Sequence, residues 1–453
     1  MIPDTNPYAG QRTVVLGLGR SGIAAARLLR RCGAVVTALD SGESDLLRER
    51  AAMLRGEGIQ VITGSEAERD PARHDLAVLS PGIEENAPLV TNVTSKGTPL
   101  FGEMELSFTL TTTPIVAITG TNGKTTTTEL TARMLGGAGL RATACGNIGT
   151  PMAEFLLDNV ATDVFVAEVS SFQLETIRTF RPKVALWLNL SPNHLDRYPS
   201  MKEYRDAKLR IFQNITSEDW VVLPSGEEFP ELMGRRITFS VTDPRADLTL
   251  ANGCRILHHG RILLDLNATK LRGPHNAANL MAAFAAGIAL GVDPSRMASS
   301  VSHYTPPAHR CEFIAERGGV RWINDSKATN LDAMEQAIRS VEGPLILIAG
   351  GKDKGFEFAS ICPLVTERAS LAILVGEMRH RIARDWVSIP TILAESLGEA
   401  VAAAASRAAP GTTVLFSPGT SSFDMFRDYV RRGEVFRALV LALPEQPKSP
   451  TSN

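Results

Sequence analysis

The sequence predicts an α/β protein of three domains, and three observations lead there. The chain has 453 residues, and hydrophobic cores stop growing well below that size, so about 150 residues per domain gives three. Short apolar runs recur along it, each followed by a helical pattern, which is the rhythm of parallel strands joined by crossover helices. Two of these strand-to-helix junctions are glycine loops of the kind that cradles phosphates. A hydrophobic content of 44% and a charged content of 21% suit a soluble globular chain. The formal net charge is -2 with no charged block, so neither nucleic acid nor an anionic membrane is an implied partner. Cys32, Cys145, Cys254, Cys311 and Cys362 are scattered without metal-ligand spacing, as free thiols in a reducing compartment would be. The N-terminus has no basic and apolar signal pattern, and no apolar run is long enough to span a bilayer. A cytoplasmic protein without membrane insertion is therefore expected.

The first domain is expected over residues 1–102. Thr13-Val14-Val15-Leu16 reads as a strand entering Gly17-Leu18-Gly19-Arg20-Ser21-Gly22, then a helix from Ile23 to Arg31; a second strand, Ala34 to Leu39, ends at Asp40. This G-x-G-x-x-G turn with an acid about 20 positions on is a Rossmann-like arrangement for a pyrophosphate and a ribose, and alone it suggests a nicotinamide-dependent oxidoreductase. A third strand, Leu76 to Leu79, closes on Ser80-Pro81-Gly82.

The second domain is expected over 103–306, as a P-loop ATPase-type α/β domain with a mostly parallel sheet. Pro114-Ile115-Val116-Ala117 reads as a strand, Ile118-Thr119-Gly120-Thr121-Asn122-Gly123-Lys124-Thr125-Thr126 as the loop, and Thr127 to Leu135 as the helix. The loop's N–H groups and the helix dipole would hold a phosphate chain, with Lys124 on the outer phosphates and the Thr125 hydroxyl on Mg²⁺. The usual first glycine of such loops is replaced by Ile118, so the loop is a short variant. Further strands deliver Asn147 in Cys145-Gly146-Asn147-Ile148-Gly149, Glu168 in Glu168-Val169-Ser170-Ser171-Phe172-Gln173, and His194 in Asn193-His194-Leu195-Asp196-Arg197-Tyr198. Polar residues thus gather where parallel strands stop, which is where open α/β sheets bind ligands. Glu168 could face Mg²⁺ or serve as a helix cap or ion pair. A lone histidine near Mg²⁺ is by default a hydrogen-bonding residue, and spacing places Lys208, in a helix starting near Met201, in solvent. Short strands are expected near Trp220 and Ile237. Gly273-Pro274-His275-Asn276-Ala277-Ala278-Asn279 opens an alanine-rich helix, with Asn276 and Asn279 on one face.

Thr305-Pro306-Pro307 reads as a linker, and 307–453 as a Rossmann-like third domain with strands at Val320 to Ile323, Leu345 to Ala349, Leu371 to Val375, Thr391 to Leu393 and Thr412 to Phe416. Three of them end in polar or glycine turns: Asn324-Asp325-Ser326-Lys327, Gly350-Gly351-Lys352-Asp353-Lys354 and Ser417-Pro418-Gly419-Thr420-Ser421-Ser422. Asp325 and Lys327 could serve a ligand or one another. The tail from Glu445 is expected to be disordered.

In their order and approximate spacing, the 119–125 loop, the Glu168 to Glu175 segment, Asn193 to Tyr198, Gly273 to Asn279 and Asn324 to Asn330 resemble the Mur ligases over nearly the whole chain. The Gly350 to Gly355 and Leu415 to Phe426 segments point to a D-glutamate-adding member. The family often has Ala-Cys-Ala-Ser where this chain has Gly419-Thr420-Ser421-Ser422. The resemblance implies ATP-dependent addition of D-glutamate to UDP-N-acetylmuramoyl-L-alanine through an acyl phosphate, in peptidoglycan precursor synthesis, by a monomer that meets only small molecules. It gives Arg20, Ser21, Asp40, Gly82, Asn147, Ser170 and His194 to the UDP-muramoyl substrate. ATP takes Gly120, Thr121, Asn122, Gly123, Lys124, Thr125, Thr126, Asn276, Asn279, Arg310, Asp325 and Lys327. Two Mg²⁺ ions take Thr125, Glu168, His194 and Lys208 as a carbamate; catalysis rests on Lys124, Glu168, His194 and Lys208. Glutamate takes Thr329, Lys354, Ser422, Phe423 and Tyr429, the last mainly through backbone. Closure of the third domain is implied. The rival classes are the oxidoreductase suggested by Gly17 to Asp40, a non-catalytic nucleotide-binding regulator, and a folate polyglutamylating ligase.

Overall fold

The computed structural model describes residues 6–147, 149–194, 197–271, 273–302, 304, 308–341 and 343–444. The expected linker at 305–307 and the tail from 445 lie outside the described residues. The chain divides into two compact units: one holds residues to 189 with 204–269 and 276–303, the other 190–203, 270–275 and 304 onward.

The first unit contains two sheets. One is wholly parallel, with strands β1 (Arg12–Leu16), β2 (Val35–Asp40), β3 (Gln60–Thr63), β4 (Leu76–Leu79) and β5 (Leu100–Gly102) in the order β3-β2-β1-β4-β5. Val14, Val15 and Leu16 are fully buried, as expected of a strand covered by helices on both faces. The chain leaves β1 toward β2 on one side and returns as β4 on the other, so the turn after β1 sits at a topological switch point. Helix Arg20–Arg31 packs back tightly because residue 22 is glycine: a Cβ there would lie 1.9 Å from the Gly17 carbonyl oxygen.

The other sheet has nine strands: β6 (Ile115–Thr119), β7 (Ala142–Gly146), β8 (Val164–Glu168), β9 (Val184–Trp187), β10 (Trp220–Pro224), β11 (Arg235–Ser240), β12 (Leu248–Ala251), β13 (Arg255–His258) and β14 (Arg261–Asp265). Their order is β14-β13-β12-β11-β10-β9-β6-β8-β7, parallel except for the antiparallel meander β12-β13-β14. β6 is flanked by β8 and β9, which makes its end a second switch point, and the glycine loop follows it.

The second unit carries β15 (Glu312–Arg317), β16 (Val320–Asn324), β17 (Leu345–Ala349), β18 (Ala369–Val375), β19 (Thr391–Ala394) and β20 (Thr413–Phe416), in the order β15-β16-β20-β17-β18-β19 with only β15 antiparallel. Its two faces are packed by separate apolar clusters, one around Trp386 and Phe358 and one around Trp322 and Phe436. Since β20 lies between β16 and β17, the turns following these three strands are neighbours on one edge. The α/β class holds throughout. Sequence patterning misses β3, β5, the meander and β15, which are short or only half-buried.

Candidate active site

The loop after β6 is built by backbone geometry that only its glycines allow. Gly120 and Gly123 have φ of 150° and 82°, conformations that a side chain would disfavour. Gly123 is the N-cap of helix Lys124–Gly137, and a Cβ there would lie 2.3 Å from Asn279 Oδ1. Asn279 in turn accepts a hydrogen bond from the Thr127 hydroxyl at 3.2 Å, so helix Pro274–Ala289 fixes the start of the loop's helix. Asn189 holds the other side. Its Oδ1 accepts from Asn122 N at 2.8 Å, its Nδ2 donates to Asn122 O at 3.0 Å, and its carbonyl accepts from Thr121 N at 3.0 Å. Sequence reasoning did not single out Asn189, although its place at the end of the next strand of the switch point is a readable signal. Lys124 folds onto its own loop, with Nζ 2.9 Å from Gly120 O and 2.8 Å from Thr121 O. Thr125 and Thr126 are buried in the first turn.

The register of β6, β8 and β7 aligns Ile118, Glu168 and Gly146, which brings Glu168 to the level of the loop. Its Oε1 accepts from Asn147 Nδ2 at 2.9 Å, and Oε2 is buried with no hydrogen-bond partner among the described residues. The alternative reading of Glu168 as a helix cap fails, because Ser170 fills that role in a capping box with Gln173. A buried carboxylate oxygen left over beside the glycine loop suits the oxygen preference of Mg²⁺.

Lys208 corrects the solvent placement drawn from spacing: it is 1% exposed. Its Nζ donates to Gly120 O at 2.9 Å and lies 4.8 Å from the Tyr204 ring centroid. Helix Met201–Leu209 turns Tyr204, Ala207 and Lys208 inward together, and Tyr204 at i−4 was the signal that could have revealed it. Burial, then the nearby Lys124 ammonium, push the Lys208 pKa well below the usual lysine range, with Glu168 opposing. Tyr204 also reaches Thr121 Oγ1 at 3.3 Å.

At the glycine turn after β1, Asp40 accepts from Leu18 N at 2.8 Å and Gly42 N at 2.9 Å. Arg20 extends from the start of its helix to Glu154 at 2.8 Å and donates to Gly149 O and Thr150 Oγ1. Ser21 follows it in the first turn, and Gly82 is exposed in the turn after β4. Asn276 is half-buried in the first turn of its helix.

In the second unit, His194 adopts a left-handed φ of 56°; its N–H donates to Asn193 Oδ1, and its carbonyl accepts from Arg197 N and Tyr198 N. Leu195 and Asp196 lie outside the described residues. Asp325 is buried and accepts from the Ser417 hydroxyl at 2.8 Å and from Cys311 N at 3.1 Å. Burial pushes its pKa up to about 7 against those bonds and the neighbouring Arg310 charge. Lys327 Nζ stands 5.4 Å from the centroid of the Tyr429 ring. Lys354 lies over the Phe356 ring with Nζ 3.5 Å from Asn193 Oδ1. Ser422 is buried, Phe423 is 66% exposed, and Thr329 is half-buried. Gly419, where the chain departs from the common family pattern, has φ of 71° and donates its N–H to Ala328 O.

Known proteins match this chain over most of its length. Residues 11–102 match the MurD-like N-terminal domain of Mur ligases, 118–287 the Mur ligase middle domain, and 309–419 the Mur ligase glutamate ligase domain. The UDP-N-acetylmuramoylalanine–D-glutamate ligase of Geobacter metallireducens is 41% identical over 444 residues, 96% of this chain and 98% of that protein. The enzyme of the same name from Nitratidesulfovibrio vulgaris is 40% identical over 443 residues, covering 96% and 97%. Among solved structures, a pseudomurein peptide ligase type C from Methanothermus fervidus aligns with a TM-score of 0.61 at 19% identity over 95% of this chain and 99% of that one. MurF ligase from Thermotoga maritima in complex with ADP aligns at 0.60 and 15%, over 96% and 95%; at such identities these two speak for the fold alone. Identity near 40% along almost the full length of both chains, with three domain matches in sequence order, decides the matter: the chain belongs to the Mur ligase family.

Proposed function

We infer that the protein joins D-glutamate to UDP-N-acetylmuramoyl-L-alanine at the expense of ATP, giving UDP-N-acetylmuramoyl-L-alanyl-D-glutamate, ADP and phosphate, a step of peptidoglycan precursor synthesis. The observation that carries this is 41% identity, across 96% of the chain, to a ligase named for that reaction. A carboxylate is a poor electrophile because resonance delocalises its charge. Transfer of the γ-phosphoryl of ATP to the alanine carboxylate gives an acyl phosphate; the glutamate amine attacks its carbonyl carbon, and phosphate leaves with the C–O bonding pair. Catalysis of this kind is mostly positioning and charge stabilisation.

The residue roles are part of the proposal. The 120–126 loop holds the phosphates, and Lys124 leaves the Gly120 and Thr121 carbonyls to meet the transferring group. Asn276, Asn279, Arg310, Asp325 and Lys327 contact ATP. Thr125 and Glu168 fit one Mg²⁺, with the free Glu168 Oε2 as the supporting feature; His194 and carbamylated Lys208 serve a second. Bound Mg²⁺ would offset phosphate charge. An amine adds to carbon dioxide in its neutral form, making an N–C bond and losing a proton, and the burial that lowers the Lys208 pKa favours that form. Arg20, Ser21, Asp40, Gly82, Asn147, Ser170 and His194 receive the UDP-muramoyl substrate, and Arg20 would exchange Glu154 for a phosphate. Thr329, Lys354, Ser422, Phe423 and Tyr429 receive glutamate. A monomer in the cytoplasm is proposed; no described helix is long and apolar enough to cross a membrane.

Phosphate release from ATP, measured with UDP-N-acetylmuramoyl-L-alanine and either D- or L-glutamate, tests the reading. Release with the D-isomer alone is expected. A folate substrate supporting release in its place would move the protein to the polyglutamylating ligases, and no release with any acceptor would leave the nucleotide-binding regulator.

A further inference from the structure

The second unit buries an arginine that no proposed role uses. Arg432, on helix Tyr429–Leu441, is 1% exposed. Its Nε donates to Ser326 Oγ at 3.1 Å, Nη2 to Ser326 O at 2.8 Å, and both Nη1 and Nη2 to Thr420 O at 3.1 Å. Ser326 Oγ donates onward to Tyr429 O at 2.8 Å. Ser326 lies in the turn after β16, between Asp325 and Lys327; Thr420 lies in the turn after β20, two residues before Ser422. The turn after β17 joins them: a Cβ on Gly351 would lie 3.1 Å from Arg432 Nη1 and 2.3 Å from Ser421 O, while Lys352 N donates to Ser421 O at 3.0 Å. One helix residue later, Gly433 O accepts from Asn324 Nδ2 at 3.1 Å.

No carboxylate among the described residues pairs directly with this guanidinium. Burial lowers its pKa only to about 10, partly offset by Asp424 and Asp325 at longer range, so it remains a cation at neutral pH. Burying a charge against carbonyls alone is costly. A packed apolar side chain could fill the space, but it could not hold two carbonyls and a hydroxyl from separate turns in one plane. The planar fork is what arginine supplies and lysine does not.

We propose that Arg432 is a positioning residue that locks the turns after β16 and β20 into one surface, so that ATP contacts on the first and glutamate contacts on the second form together. This rests on the functional reading above. The test compares Arg432→Lys, which keeps the charge and loses the fork, with Arg432→Met, which loses both. In phosphate-release assays with D-glutamate, Arg432→Lys is expected to raise KM for ATP and for D-glutamate roughly tenfold each, while KM for UDP-N-acetylmuramoyl-L-alanine stays within about twofold. Arg432→Met should be at least as impaired. Amide exchange at residues 326–328 and 419–421 should quicken in both variants.

Folded variants with all three KM values at the wild-type level would overturn the proposal. So would a uniform rise in all three that simply follows a lowered melting temperature, which would mark a purely structural residue. Ser326→Ala, which removes one bond of the fork and the link to Tyr429, gives a milder version of the same split should Arg432→Met not fold. If wild-type protein releases no phosphate with glutamate, the functional reading fails; the exchange measurement still decides whether Arg432 holds the turns, and unchanged exchange would refute it.

Discussion

Lys208 shows how one residue's chemistry can depend on its burial. Its Nζ and that of Lys124 both donate to the Gly120 carbonyl; burial first, and then the repulsion from this second ammonium, hold the Lys208 pKa well below the usual lysine range. Lys208→Ala is expected to lose ligase activity by about 10² or more, without recovery on adding bicarbonate. Labelled carbon dioxide should give wild-type protein a carbamate carbon signal that the variant lacks, and an unaltered rate in the variant would refute the carbamate. Lys124→Ala should lower turnover by about 10²–10³, on the scale of losing one charge-stabilising group, with no change in the folded state by circular dichroism. Asp325 carries a pH dependence whose sign is fixed by its raised pKa. Between the ordinary aspartate value of 3.8 and about 7, the folded protein keeps a proton that the unfolded chain has released, so stability falls as pH rises through that window and levels off above it. Asp325→Asn removes the buried charge. Its unfolding free energy should match wild type near pH 4 and exceed it at pH 8 by an amount on the order of a few kcal/mol, read as a higher melting temperature at pH 8 alone, while its KM for ATP rises.

Strand ends and the glycines beside them set the site at the next scale. Gly146 closes β7 with φ of 99°, and a Cβ there would lie 2.3 Å from the Glu168 carbonyl oxygen on β8. Gly146→Ala must therefore spread the two strands where Glu168 is held, at a cost of about 1–3 kcal/mol. Activity should fall further than in a variant of equal stability loss placed on the β12–β14 meander, as paired denaturation and phosphate-release measurements would show. The strands that frame this site were readable in the sequence because they are buried on both faces: 115–118, 164–167 and 345–349 are continuous apolar runs. β3 and β14 each bury only one residue fully, and their Gln, Thr and Arg positions carry no clear period. The glycine loop was readable because its conformation is local, set by Gly120 and Gly123. Lys208 and Asn189 left only weak signals, Tyr204 four residues before the lysine and a strand end beside the switch point, because a helix pattern does not say which face meets a loop from another part of the chain; Arg432 left none, since a polar side chain bonded to a distant carbonyl has no sequence period.

At the scale of the whole molecule, the question is what makes two sheets of the first unit fold as one body. Part of the answer is Glu105, fully buried on helix Glu103–Thr109, which directly follows the last strand of the first sheet. Its Oε2 accepts from Arg178 N and Phe180 N, both at 2.9 Å, and its Oε1 from Thr179 N at 2.7 Å and the Thr179 hydroxyl at 2.5 Å. Four donors converge on one carboxylate from the segment that leads into β9 of the second sheet. Bonds of this kind, to a charged acceptor, are worth more than neutral ones, and their loss strands backbone N–H groups away from water. Arg20 with Glu154 adds a second link, but that pair is exposed and contributes little to stability. Glu105→Gln keeps the shape and turns an NH2 group toward donors. It is expected to cost about 2–4 kcal/mol and, if Glu105 joins the two sheets, to lower the urea midpoint measured from either of them. Arg20→Ala should leave that midpoint almost unchanged while raising KM for the UDP-muramoyl substrate. A Glu105→Gln midpoint equal to wild type would show that apolar packing alone unites the sheets.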